Sequence, residues 1–297
     1  MEFKKSFIEK YEKLTDIEIF KEYSLKPLRR SFRANTLKTN ADEIKKRFPN
    51  IKQVPWCKEG FWIEKFYGLG NTLEHFLGYI YIQEAASMIP PIVLNPEPHE
   101  IVLDMCASPG SKTTQMAAMM ENTGIIIAND NKTAKINILN FNLEKCGVAN
   151  VAVTKQNGWK FHKPMFDKVL VDAPCSGIGA IRKSLETLKI YNPNITNKLA
   201  NVQKKLITAG FNSLKPNGTL VYSTCTLEPE ENELVIDYLL SKFDNAKLEE
   251  INLDINRSMP VLEYNGKTLN KEIKKCLRIW PQDNDTEGFF VAKIRKL

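Results

Sequence analysis

From about residue 71 onward, short β-branched runs alternate with stretches of helical character, and this order leaves few folds open. Strands are expected over 101–104, 124–129, 151–154, 166–171 and 219–223. Helices are expected between them, over 112–120, 133–146 and 196–214, the last stopping ahead of Lys215-Pro216-Asn217-Gly218. One more helix is expected after Pro229, and 288–294 reads as a closing strand. Such alternation predicts an α/β, Rossmann-like fold: a doubly wound, mostly parallel sheet. In such sheets ligands sit in the crevice beyond the carboxyl ends of the strands, so the segments that follow each run carry the functional information.

Residues 1–70 read differently, as a small α+β unit. Phe7, Ile8, Tyr11 and Leu14 recur with helical spacing, as do Ile17, Ile19 and Phe20. Residues 31–37 look extended, and Asn40 with Glu43 three places on marks a helix start that must end before Pro49. A second extended pair falls around Val54 and residues 61–63. The net charge of +7 is concentrated here: the first sixty residues hold fifteen Lys and Arg against nine Asp and Glu. A cluster that includes Arg29, Arg30 and Arg33 favours a phosphate backbone as partner, with an ordinary solvated face as the alternative. The division expected is thus a basic N-terminal region, 1–70, and a main domain, 71–297.

With 43% hydrophobic residues the chain can fill a large core. The opening Met1-Glu2-Phe3-Lys4-Lys5 has no apolar run behind it, which suits a cytoplasmic protein. Residues 77–94 are the most apolar, yet Gln83, Glu84 and two prolines interrupt them, so a buried helix is expected rather than a membrane span. Six cysteines without a Cys-x-x-Cys pair, and only three histidines, point to free thiols, no metal and no histidine-based triad. A monomer is expected.

The strand at 101–104 runs into Met105-Cys106-Ala107-Ser108-Pro109-Gly110-Ser111-Lys112 and then a helix. Pro109-Gly110 makes a tight turn that lets a ligand approach the backbone, and the amides of the helix start, with Lys112, suit a carboxylate. Neither the phosphate-loop nor the dinucleotide glycine spacing is present. The next strand ends in Asn129-Asp130, where an acid commonly binds ribose hydroxyls; the alternative for Asp130 is a helix cap. A ribose-binding acid without a pyrophosphate loop fits S-adenosylmethionine better than NAD. Asn157, after the third strand, is placed to meet an adenine edge, and Asp104 is available as a structural partner within its turn.

Two cysteines stand past the remaining strands. Cys175 lies in Asp172-Ala173-Pro174-Cys175-Ser176-Gly177, and Cys225 lies in Ser223-Thr224-Cys225-Thr226, followed by Pro229-Glu230-Glu231-Asn232-Glu233. Position alone makes them equal candidates for covalent chemistry, in which the thiolate is the reactive form. Cys57, Cys146 and Cys276 read as core residues, and Cys106 as packing in its turn. Glu230, Glu231 and Glu233 suit the positive end of a helix.

These motifs, in this order, resemble the RNA cytosine-C5 methyltransferases of the Nop/Sun family. The similarity runs from Arg33-Ala34-Asn35-Thr36-Leu37-Lys38 to Gly288-Phe289-Phe290, and the size is most like the compact archaeal tRNA enzymes. The resemblance implies an S-adenosylmethionine-dependent enzyme that makes 5-methylcytosine in RNA. Cys225 would bond cytosine C6, Cys175 would assist product release, and Asp172 would contact the base beside the cofactor. Lys112 would join them, and Cys106 to Lys112 with Asp130 would hold the cofactor. Asn157 stands where an aspartate is common and Lys135 where an arginine is common. Arg182 and Lys183 are placed to reach RNA phosphates. In a DNA cytosine methyltransferase, the nearest rival, Cys175 would attack instead; rRNA is the alternative substrate, and a non-catalytic RNA-binding factor the alternative of another class.

Overall fold

The computed structural model describes residues 3–64 and 68–297. The chain begins with two helices, α1 (Lys5–Tyr11) and α2 (Ile17–Leu25), the second capped by Asp16, which accepts from the Glu18 and Ile19 amides. Strand β1 (Arg30–Ala34) follows, then α3 (Ala41–Arg47), capped by Asn40, then β2 (Ile51–Val54) and β3 (Cys57–Ile63). A short helix α4 (Leu73–Phe76) leads to β4 (Ile80–Ile82). These strands form an antiparallel sheet of order β2-β3-β1-β4.

Two expectations change here. The small sheet is completed by β4, beyond residue 71, because Ile80, Tyr81 and Ile82 pair with Ala34, Arg33 and Phe32. Residues 77–94 accordingly are not one helix. Pairing with β1 takes Ile80–Ile82 into a sheet, a tight turn spans Ala86–Met88, and only α5 (Ile89–Leu94) is α-helical. Helices α1 and α2 also leave the small sheet: Phe7, Tyr11 and Phe20 pack with Ile178, Tyr191, Leu227 and Trp280 of the main domain.

The main domain follows the expected alternation. In chain order it contains β5 (Ile101–Asp104), α6 (Ser111–Met119), β6 (Ile125–Asp130), α7 (Thr133–Cys146), β7 (Val151–Lys155) and β8 (Phe166–Asp172). Next come α8 (Glu186–Ile190), α9 (Pro193–Ser213), β9 (Leu214–Thr224), α10 (Glu233–Lys242) and β10 (Ala246–Glu249). A hairpin of β11 (Glu263–Tyr264) and β12 (Lys267–Thr268), then β13 (Leu277–Ile279), α11 (Pro281–Asn284) and β14 (Phe289–Lys296), complete it. Strands pair in the order β10-β14-β9-β8-β5-β6-β7, with β13 on β14. The run from β9 to β7 is parallel, while β14 is antiparallel to β9. Continuous apolar strands suit a sheet covered on both faces, and Leu103, Val169, Val171, Leu220 and Tyr222 are buried on one face, Val102, Ile126, Leu170 and Val221 on the other. Chain order reverses at β5, between β6 and β8, and this switch point opens the crevice in which ligands bind in such folds.

Candidate active site at the switch point

The sheet delivers its polar residues in register. Parallel pairing sets Asp172, the last residue of β8, beside Ser223 near the end of β9, and the Ser223 hydroxyl donates to Asp172 Oδ1 at 2.7 Å. From the first turn of α6, Lys112 donates to Asp172 Oδ2 at 2.8 Å and to Ser87 Oγ at 3.0 Å. Burial works to lower the Lys112 pKa, but the charge and hydrogen bond of Asp172 outweigh it and the pKa is raised. The ammonium therefore stays charged in a nearly closed environment. Gly110 ahead of it has φ +106°, and a Cβ there would stand 3.1 Å from Leu139 Cδ1, so this turn requires glycine.

One residue past β9, the Cys225 sulfur lies 3.3 Å from the Cys175 sulfur. Both are half-buried. The hydrogen bond with Cys225, then burial, then the neighbouring Glu231 raise the Cys175 pKa well above that of a free thiol. The two loops are fastened from opposite sides. Behind Cys175, Glu231 Oε2 accepts from the Ser176 amide at 3.0 Å and from Gln203 Nε2 at 2.7 Å, while Gln203 also donates to the Pro174 carbonyl at 2.9 Å. Burial lifts the Glu231 carboxyl to about 7. Behind Cys225, the Gly179 amide donates to its carbonyl at 2.9 Å, and the Gly179 carbonyl accepts from Gly288 at 2.9 Å. A Cβ on Gly179 would stand 2.1 Å from the Gly288 oxygen and 2.8 Å from that of Cys225.

Two cavities of about 340 Å³ each meet at Cys106, Ser108, Asp172, Ala173 and Cys225. The first is walled by Met105, Val202 and Leu206 and reaches Asp130, Lys135, Gln156 and Trp159. Asp130 Oδ1 accepts from the Lys132 amide and its Oδ2 lies 3.7 Å from Lys135 Nζ; the cap residue of α7 is Lys132, so Asp130 precedes the helix rather than capping it. Asn157 does not line this cavity, although its neighbours Gln156 and Gly158 do. The second cavity opens toward the small sheet and is lined by Tyr81, Glu84, Lys112, Lys183, Glu287 and Phe289, with Ala107, Pro109 and Ser111 along its wall. At its floor Asp104 accepts from Thr113 at 2.7 Å, its other oxygen is buried without a partner, and burial raises its carboxyl to about 7. A thiol at the junction can therefore reach a ring in one cavity while facing a second ligand in the other.

Several expected sites are placed otherwise. Arg33 is 2% exposed: its guanidinium donates to Gln83 Oε1 at 3.1 Å and Thr114 Oγ1 at 3.0 Å, so it joins the small sheet to α6 and faces no phosphate. Arg182 is 9% exposed and bonds the Lys26, Pro27 and Thr286 carbonyls and, at 2.6 Å, Asp285. Arg29 stacks over Trp62 at 3.9 Å and pairs with Asp285 at 2.9 Å. These arginines clamp elements together; Arg30 and Lys183 remain at the surface. The acids after Pro229 likewise do more than start α10. Glu231 braces the Cys175 loop, Glu233 is buried against Arg278 at 2.7 Å, and Glu230 pairs with Lys10 at 2.9 Å. Their clustering was the signal; which partners they meet is set across the sheet. Ser87, Gln203 and Trp159 gave no local signal at all. Cys57, Cys146 and Cys276 are buried.

Among the described residues no group of three or more His, Cys, Asp and Glu could hold a metal, and no helix is long and apolar enough to cross a membrane.

Residues 91–295 match the family model described as 16S rRNA methyltransferase RsmB/F, and residues 3–85 match the N-terminal domain of 16S rRNA methyltransferase RsmF. The tRNA (cytosine(49)-C(5))-methyltransferase of Pyrococcus abyssi is 50% identical over 98% of this chain and 96% of its own length. The ribosomal RNA small subunit methyltransferase F of Vibrio atlanticus is 45% identical over 92% of this chain, which spans only 58% of that protein. Among solved structures, a methyltransferase homolog protein from Pyrococcus horikoshii superposes with a TM-score of 0.82 at 40% identity, covering 94% of this chain and 90% of that one.

Proposed function

The chain belongs to the RsmB/F family of RNA cytosine-C5 methyltransferases, and on that premise we propose that it methylates cytosine in tRNA with S-adenosylmethionine, through a covalent adduct on Cys225. The observation that carries the proposal is the pair of sulfurs 3.3 Å apart, Cys225 at the junction of two cavities and Cys175 lining the first.

The first cavity fits the cofactor. Asp130 offers a carboxylate oxygen at the end of β6, where a ribose is expected, and Met105, Val202 and Leu206 supply apolar walls for a nucleoside. When bound there, S-adenosylmethionine supplies an electrophilic methyl group. The second cavity takes the target ring, extruded from its stack. Cytosine C5 is too electron-poor to attack that methyl unaided. Cys225 as thiolate would add to C6, forming an S–C6 bond and moving the ring π electrons to C5, the atom that would take the methyl group as its bond to the sulfonium sulfur breaks and the neutral thioether leaves. Asp172, held in place by Lys112 and Ser223, would accept from the N4 amino group and hold a proton against N3, and so make the ring accept the thiolate. Transfer of the C5 proton to a base would return the electrons to the ring and break the S–C6 bond, freeing Cys225 as thiolate. Cys175, against the departing sulfur, assists that last step.

The near full-length identity to a tRNA enzyme favours tRNA, while the bacterial relatives act on rRNA and are longer than this chain. The test uses labelled S-adenosylmethionine, a tRNA transcript, Cys225→Ala and Cys175→Ala. Cys225→Ala should be inactive, and Cys175→Ala should accumulate an RNA adduct that survives denaturing electrophoresis. Activity in Cys225→Ala with none in Cys175→Ala would reverse the two roles; methylation of rRNA fragments but not tRNA would replace the substrate.

A further inference from the structure

The outer face of α7 carries large apolar side chains that the chemistry above does not use. Ile138 is 52% and Phe141 63% exposed, and with Lys145 they share one face of the helix, spaced by three and then four residues. Across a seam, α4 shows Leu73 at 62% and Phe76 at 76% exposed. Large apolar side chains exposed together on two neighbouring elements mark an interaction site more often than a scattered single residue does.

Three observations tie this face together. Lys145 Nζ sits 5.8 Å over the Phe141 ring, 5.7 Å over the Tyr81 ring and 3.4 Å from His75 Nε2. Lys38 crosses the seam, donating to the Leu77 carbonyl at 3.0 Å and the Lys145 carbonyl at 2.7 Å. At Gly78 a Cβ would stand 2.0 Å from that same Lys145 oxygen, so the two elements are in direct backbone contact. The face is also continuous with the active-site mouth. Tyr81 lines the second cavity, and its hydroxyl and Asn142 Nδ2 both donate to the Pro109 carbonyl, at 3.5 and 2.8 Å.

We propose that Phe141 and Phe76 form a stacking platform for unpaired nucleotides of the RNA that flank the target cytosine. The inference rests on the RNA reading above. Every base has a π-face, so stacking on aromatic side chains holds unpaired RNA without reading its sequence. Lysines interleave with the rings: Lys145 and Lys38 at the seam, and Lys135, with its side chain 48% exposed, at the other end of the α7 face. This combination complements a polyanion with stacked bases, whereas a purely apolar patch would suit a protein face.

The platform is tested with the full chain and a fluorescently labelled tRNA transcript, binding by anisotropy and methylation by label transfer in parallel. Phe76→Ala with Phe141→Ala should weaken tRNA binding about tenfold. The KM for RNA should rise in step, with kcat at saturating RNA within about twofold of the parent and the melting temperature unchanged. Phe141→Tyr should bind as the parent does, and Ile138→Ala, which removes no ring, should change affinity less than about twofold. Unchanged tRNA affinity in the double variant would overturn the platform. A parent protein that binds tRNA but transfers no methyl group would instead remove the assigned reaction, and the platform would stand or fall on the binding data.

Discussion

Glu231 offers the sharpest single test of the site's electrostatics. Its carboxylate is fully buried, with one oxygen holding the Ser176 amide and Gln203 and the other without a partner. Burial holds the carboxyl at about 7, against an ordinary 4.5. An acid raised in the fold binds its proton more tightly folded than unfolded, so its contribution to stability is full below about 4.5 and is lost as pH climbs to about 7. At about 1.4 kcal/mol per pH unit, ionising it in place costs about 3 kcal/mol. Glu231→Gln keeps an oxygen for Ser176 and Gln203 but cannot ionise. Relative to the parent, the variant should therefore gain about 3 kcal/mol between pH 4.5 and 7 and hold that gain above. In a chain this long the gain corresponds to roughly 6 °C in melting temperature. Thermal unfolding of both proteins from pH 5 to 8 reads the difference directly, and contributions from other titrating groups cancel in it. Melting curves that stay parallel across the range would refute the reasoning, since a carboxyl that does not titrate there has no raised pKa to lose.

Two further substitutions separate placement from chemistry. Lys112→Met removes the donors to Asp172 and Ser87, and loss of such a preorganised donor should cut single-turnover methylation by roughly 10²- to 10³-fold. Because the Asp172 side chain is 28% exposed, water can replace part of the contact, and stability should fall by only about 1–3 kcal/mol. Gly179→Ala drives a methyl group into the carbonyls of Gly288 and Cys225; it should cost about 1–3 kcal/mol by thermal unfolding and lower kcat while leaving cofactor affinity unchanged in calorimetry. Turnover at the parent level in that variant would mean that the Cys225 loop is held by something else.

The parallel core of the fold was legible because its strands are buried on both faces and read as unbroken apolar runs, as at 101–104 and 166–171. Helix α7 matched its expected bounds because Gly147 closes it in a left-handed turn. What the sequence could not convey lies in pairings between distant segments. Ile80–Ile82 has helical neighbours and becomes a strand only because β1 offers an edge. Strands β10 and β13 have little pattern of their own and exist through β14. The site shows the same division. Asp172, Cys175, Cys225 and Lys112 sit in tight local motifs at strand ends and helix starts, and they do converge. Charge in a sequence does not say which face it occupies: Arg33 points into a seam where Gln83 and Thr114 already wait as acceptors, and Arg182 is likewise buried. Glu231 reads in sequence as a helix-start charge because its partners, Ser176 and Gln203, lie 55 and 28 residues away.

The fastening of Cys225 through Gly179 consists of peptide groups alone, amide to carbonyl on both sides. A residue larger than hydrogen at Gly179 or Gly288, or a proline at either amide, would disturb those bonds, whereas exchanging other side chains in the neighbouring loops removes no donor or acceptor from them. The position of Cys225 is thus decoupled from the identity of most residues around it, whereas that of Cys175 depends on the Glu231 and Gln203 side chains. On the function proposed above, the walls of the second cavity could change shape, and with it the nucleotide context accepted, while Cys225 kept its position. For redesign on that proposed function this separates two tasks: substrate choice would be addressed at Tyr81, Lys183 and Phe289, and the placement of Cys225 travels with the backbone.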